Sequence, residues 1–172
     1  MPSNLFRKSQ EPQPTPEPVP IYAQMRRQIL TIAPDEVGIA QSLETPNVWG
    51  VLMEMGYPKA VVTLVSLADG TTSLYFGNGG GIIGGGGYPG VAKASKKLVS
   101  HSEEYFKSMT PTTSFPLPAV RRVKFYILTF QGEFTADIDE KELGEGRHDL
   151  SPLFYSGQAV ITQLRLNTEQ RN

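Results

Sequence analysis

The chain has 172 residues, and its 16 Lys+Arg stand against 17 Asp+Glu with a pI of about 6.1. So even a balance predicts neither a nucleic-acid partner nor a membrane surface, both of which are served by concentrated basic charge. The absence of cysteine excludes disulfide scaffolds, thiolate metal sites and cysteine nucleophiles.

The N-terminal twenty residues hold six of the 14 prolines, with Leu5, Phe6 and Val19 as the sizeable apolar side chains. Such a segment buries too little surface to offset its ordering entropy, and the alternating Pro12–Pro18 run favours polyproline II. Residues 1–20 are therefore expected to be a disordered tail, either a spacer or a ligand for an aromatic groove. Arg7 and Lys8 stand too far from the prolines for a Src-homology groove motif, which favours the spacer. Met1–Gln10 lacks the apolar centre of a signal peptide, and no apolar run approaches the roughly 18–20 residues that span a bilayer. The expected location is the cytoplasm.

A single domain over residues 21–172 is expected. Ile21, Met25, Ile29 and Ile32 recur at helical spacing, with Arg26, Arg27 and Gln28 facing away, and Pro34 closes that helix. Strands are predicted over 48–55, 60–67 and 71–76, separated by Gly56-Tyr57-Pro58-Lys59 and by the hairpin dipeptide Asp69-Gly70. A glycine-rich stretch follows. The clearest amphipathic helix, about 89–109, places Val91, Ala94, Leu98, Ser102, Tyr105 and Met109 on one side and its lysines opposite. Thr110–Pro118, with three prolines, reads as loop, and strands return over 120–130 and 133–138. Asp139 can cap a short helical turn ended by Gly144, and Ser151 followed by Pro152 reads as the cap of a last helix that frays from Leu166.

The expected fold is thus α+β: about five antiparallel strands, a central crossover helix (about 90–109), and terminal helices packed on the sheet. In element order this loosely resembles the profilin, roadblock and longin folds, whose five-stranded antiparallel sheet is interrupted by a helix. The split here is three strands plus two, whereas roadblock proteins have two plus three. The resemblance transfers no functional residue.

Gly77–Gly90 holds nine of the 17 glycines. Gly79-Gly80-Gly81-Ile82-Ile83-Gly84 formally matches G-x-G-x-x-G, but the helix starts too late and the acidic residues twenty positions on, Glu103 and Glu104, lie in that same helix. Three readings stay open: a structural linker plugged by Ile82 and Ile83, a flap over a pocket, or an anion cradle. The cradle would use Gly79, Gly80, Gly81, Gly84 and Gly85 with Lys93 and Lys96.

Catalytic groups are sparse. His101 reads as a half-buried packing residue, and His148-Asp149 with Ser151 are chain neighbours that do not converge as a triad. No metal-ligand spacing occurs, no cofactor is expected, and Trp49 and Tyr57 read as core or interface aromatics. Glu54, inside an apolar strand, is either a buried pocket acid or a residue near a strand end that meets solvent or an arginine such as Arg121 or Arg122. From Asp137 to Asp149 six acids face two bases, while Lys93, Lys96 and Lys97 cluster on the central helix, and such opposed patches can guide self-association. The functional expectation is a non-enzymatic module that binds a protein partner or itself, as in a homodimer. The alternative is a small-molecule or anion binder, with or without catalysis, whose pocket lies under Gly77–Gly90.

Overall fold

The computed structural model describes residues 11–169. They form an antiparallel sheet of β1 (Val48–Gly56), β2 (Val61–Leu67), β3 (Thr72–Phe76), β4 (Gly81–Ile82), β5 (Thr110–Thr112), β6 (Arg122–Thr129) and β7 (Gly132–Asp139). The strand order is β4-β3-β2-β1-β6-β7-β5. Four helices accompany it: α1 (Pro20–Thr31), α2 (Pro89–Ser102), α3 (Glu140–Gly144) and α4 (Ser151–Glu169).

The centre falls to β1 because it is buried on both faces along its whole length. Val51, Met53 and Met55 enter one core with Leu64, Phe125, Leu98 of α2 and Leu153 and Val160 of α4. Leu52 enters the opposite core with Leu30 of α1, Trp49, Val65, Tyr126 and Leu128. Each such side chain contributes about 1.5–3 kcal/mol on burial. At Gly157 α4 lies so close to the sheet that a Cβ would stand 2.5 Å from Met53 Sδ. The indole of Trp49 donates to the Thr129 carbonyl (3.2 Å), which satisfies the only polar atom it brings into its core.

The structure corrects several expectations. The sheet has seven strands, because two short edge strands lie in segments read as loop. β4 forms inside the glycine run, where Gly81 at φ 151° comes so close to β3 that a Cβ would stand 2.3 Å from the Leu74 carbonyl oxygen. β5 contains Pro111, which an edge strand tolerates because no further ladder needs its missing N–H. The central helix stops at Ser102 instead of near residue 109. Ser102 Oγ donates to the Val99 carbonyl (2.6 Å), and the next amides, Glu103 and Glu104, bond three residues back. That turn frees the Glu103 carboxylate to accept from the amides of Asn47 (2.9 Å) and Val48 (2.7 Å), which fixes the start of β1.

The inward face of α1 is also rotated from the expected stripe. Tyr22 and Leu30 are buried, Arg26 reaches the sheet, and Ile21 is 55% exposed. A carboxylate beneath the helix, described below, explains why an arginine occupies the inner face. Ser151 is the first helical residue, with its hydroxyl accepting from His148 N (3.3 Å), and α4 continues past Leu166.

Of the proline-rich stretch, residues 1–10 lie outside the described residues. Residues 11–19 run as a strap along the body: Gln13 O accepts from Val120 N (2.8 Å), Pro14 bridges Ala119, Thr15 Oγ1 donates to Pro118 O (3.1 Å), and Val19 N donates to Gly77 O (2.8 Å). Among the described residues no helix is long and apolar enough to cross a membrane.

Candidate recognition groove

The glycine and lysine candidates fall in and around β4 and on α2. Gly81 lies in β4. Gly79, Gly80 and Gly84 adopt positive φ with open space where a Cβ would stand, whereas at Gly85 a Cβ would stand 2.4 Å from Leu164 Cδ2. Gly86 packs against the Gly70 carbonyl in the same way. Lys93 and Lys96 are exposed on α2, with Lys96 beside the Asp69-Gly70 turn. Much of the glycine run thus serves close packing at the sheet edge.

Glu54 is fully buried, and its partner is neither Arg121 nor Arg122. Arg26 of α1 grips it with Nε (2.8 Å) and Nη2 (2.7 Å), Thr63 Oγ1 donates to it (2.6 Å), and the Tyr22 hydroxyl lies 2.6 Å from that threonine oxygen. Arg26 also donates to the Phe115 carbonyl (2.8 Å) and lies over the Tyr126 ring. Burial, then the charge of Glu54, pushes the Tyr22 hydroxyl well above its usual range. Both carboxylate oxygens of Glu54 and the Nε and Nη2 of Arg26 have partners, so the cluster works as a latch holding α1 and Phe115 to the sheet.

The opposite condition holds at the end of the sheet where β1 turns into β2. There a groove of about 630 Å³ is lined by Tyr57 of the turn, Arg121 at the head of β6, Glu140 and Lys141 of α3, and Phe154 and Gln158 of α4. The fold places these residues through backbone bonds: Arg121 N donates to Gly56 O (2.8 Å) and Glu140 N donates to Arg121 O (3.0 Å). Asp139 caps α3, its Oδ1 accepting from Lys141 N (2.9 Å) and Glu142 N (3.2 Å).

Three features set this groove apart. Arg121 has φ 65°, and it is the non-glycine residue that takes the left-handed region among the described residues. Backbone held there costs on the order of 1–3 kcal/mol and collects at functional sites. Its guanidinium makes no hydrogen bond or ion pair among the described residues, and neither does the carboxyl of Glu140. Burial, then the adjacent Asp139, raises the pKa of Glu140, and no ion pair among the described residues offsets the rise. Finally, the Tyr57 hydroxyl (3.7 Å) and the Gln158 amide (3.4 Å) both point at Met55 Sδ, a weak acceptor, which leaves their hydrogen-bonding capacity largely unused. Burial, then Glu140, raises the pKa of Tyr57 as well. Phe154 supplies an apolar floor, and Tyr57 is 36% exposed at the rim.

His101, half-buried on α2, bonds through Nδ1 to Ser156 Oγ of α4 (2.8 Å) and stands edge-on to Tyr105, which makes it part of the interhelical seam. Among the described residues no three His, Asp or Glu side chains gather to hold a metal. Sequence reasoning read Tyr57 as a core or interface aromatic and Glu140 as part of an acidic run, but it did not join them to Arg121, Phe154 and Gln158. The adjacent acids Asp139-Glu140 are the one visible signal, whereas a left-handed arginine leaves no mark in the sequence. No protein-family model matches the chain, and neither curated proteins nor solved structures give a match.

Proposed function

We propose that this protein is a recognition module whose groove at Tyr57, Arg121, Glu140, Phe154 and Gln158 takes an extended segment of a partner protein carrying an apolar side chain next to a basic one. The observation that carries this reading is the uncompensated Glu140 carboxyl. It is half-buried beside Asp139 and makes no ion pair among the described residues, so an incoming lysine or arginine would offset both its desolvation and the repulsion from its neighbour. The apolar side chain fits between Tyr57 and Phe154, while the Gln158 amide and the Arg121 guanidinium supply donors for peptide carbonyls. Aromatic residues and arginine are also the types that dominate binding energy at protein interfaces.

Titration of the ¹⁵N-labelled protein with short peptides in which Lys or Arg follows Leu or Phe tests this reading. Signals of Tyr57, Glu140 and the Gln158 side chain should move, and Glu140→Gln should weaken binding about tenfold, or 1.4 kcal/mol. Equal binding by peptides with glutamate in place of the cation would dismiss it. The alternative, a small anion held by Gly79, Gly80, Gly81, Gly84 and Gly85 with Lys93 and Lys96, has less support, because Gly81 and Gly85 pack directly against the Leu74 carbonyl and Leu164. Self-association guided by the lysines of α2 and the acids of 137–149 is a further reading, and one in which Glu140 would meet a lysine of a second copy.

A further inference from the structure

Asn78 stands near the start of the glycine run, in the turn from β3 to β4. It is exposed, its side chain makes no hydrogen bond among the described residues, and Gly79 follows it. Where glycine follows asparagine, the next amide nitrogen can reach the side-chain carbonyl carbon, because no Cβ blocks the approach and the backbone is free to turn. The fold preserves that freedom here. Gly79 has φ 104° and Gly80 φ 84°, and around both there is open space where a Cβ would stand. A single hydrogen bond holds the attacking nitrogen, from Gly79 N to Phe76 O (3.0 Å), in a turn whose Asn78 and Gly80 face solvent. The other two described asparagines are guarded. Asn47 Nδ2 donates to Glu103 (3.1 Å) and Asn167 Nδ2 to Gln163 O (2.8 Å), and each is followed by a β-branched residue, Val48 in β1 or Thr168 in α4.

We propose that Asn78 is a site of spontaneous deamidation, which converts it to aspartate and isoaspartate. Gly79 N, on losing its proton, bonds to Asn78 Cγ. The Cγ–Nδ2 bond breaks, and the amide nitrogen takes up that proton and leaves as ammonia. Water then opens the cyclic imide at either carbonyl, so the net change is a water consumed and an ammonia released. Opening at the main-chain carbonyl routes the chain through Cγ and adds a methylene to the backbone. That methylene falls between two anchors. On one side Gly77 N donates to Val61 O (2.8 Å) and Gly77 O accepts from Val19 N (2.8 Å), and on the other Gly81 lies tight against the Leu74 carbonyl. The isoaspartate form therefore loses the pairing of β4 with β3, whereas the aspartate form keeps it.

The test incubates the full-length protein, folded and in urea, at mildly alkaline pH. Each asparagine is followed by peptide mass mapping, and isoaspartate is read by enzymatic carboxyl methylation. In the folded protein Asn78 should convert about tenfold faster than Asn47 or Asn167, and Asn78→Gln should abolish the methylation of that segment. The isoaspartate form, separated by chromatography, should show shifted backbone amides at Leu74, Tyr75, Gly81 and Ile82. If Asn78 converts in urea but stays intact in the folded protein, the turn protects it and the proposed site is overturned. An Asn78 that stays intact in both overturns it equally. Conversion with those four amides unmoved would overturn the loss of β4 pairing.

Discussion

Two arginine–glutamate neighbourhoods lie on this sheet, and they are built in opposite ways. At the first, Arg26 grips a Glu54 that is fully buried, with Thr63 and Tyr22 completing the set of partners. At the second, Glu140 bonds through its backbone to a left-handed Arg121, yet the two side chains make no ion pair. A closed set of partners stabilises the fold and has nothing left to offer a ligand. An open set costs stability and is available for recognition. The difference teaches where to look for a site: not for charged residues as such, but for charged residues that the fold has positioned and left unsatisfied.

The largest expected effect comes from breaking the closed set. Glu54→Ala leaves Arg26 uncompensated beneath α1 and should destabilise the protein by about 3–5 kcal/mol in urea unfolding, whereas Arg26→Met/Glu54→Leu together should recover most of it. If the double variant is as unstable as the single one, the latch is not the reason α1 stays in place.

Next comes the glycine run, part of which packs against the frame. Gly86→Ala would put a methyl 2.4 Å from the Gly70 carbonyl oxygen and should cost about 1–3 kcal/mol, while Gly87→Ala, with open space around it, should be neutral in the same thermal melt. Equal effects at both positions would remove the close-packing argument.

The open set should respond in the reverse sense. Arg121→Gly relieves the left-handed backbone and should stabilise the fold by about 0.5–1 kcal/mol while peptide binding falls. A destabilised Arg121→Gly variant would show that the guanidinium supports the fold.

The smallest effect is at Glu140, where Glu140→Gln should change stability by less than about 0.5 kcal/mol. Its pH behaviour carries the sign. The folded pKa is raised by burial and Asp139, so the ionised form is the one penalised in the fold, and stability should rise slightly as pH falls through that pKa. Binding of a cationic peptide should weaken as pH falls through the same raised pKa. Tyr57, held up by burial and by Glu140, stays neutral over this interval. A midpoint at an ordinary glutamate pKa would assign the cation to another acid.

Much of this architecture was legible in the sequence. Alternating Val61–Leu67 with both faces apolar, the Asp69-Gly70 hairpin and the amphipathic lysine helix are local signals, and each lies where period and turn chemistry put it. The misses share a physical cause, which is dependence on something distant along the chain. The inner face of α1 was misjudged because Arg26 answers to Glu54 on β1. The end of α2 was misjudged because Glu103 is needed at Asn47 and Val48, and β4 and β5 are strands only by virtue of their neighbours. The groove combines a turn, a strand head and two helices, so no window of sequence contains it.

The protein's single tryptophan, Trp49, reports on one half of the structure. Its emission follows the layer beneath α1 and is silent about the layer of α2 and α4, whereas far-ultraviolet circular dichroism sees both. If the two signals part company during denaturation, the layers release one after the other. If they superimpose, β1, which is shared by both cores, makes the domain melt as one unit.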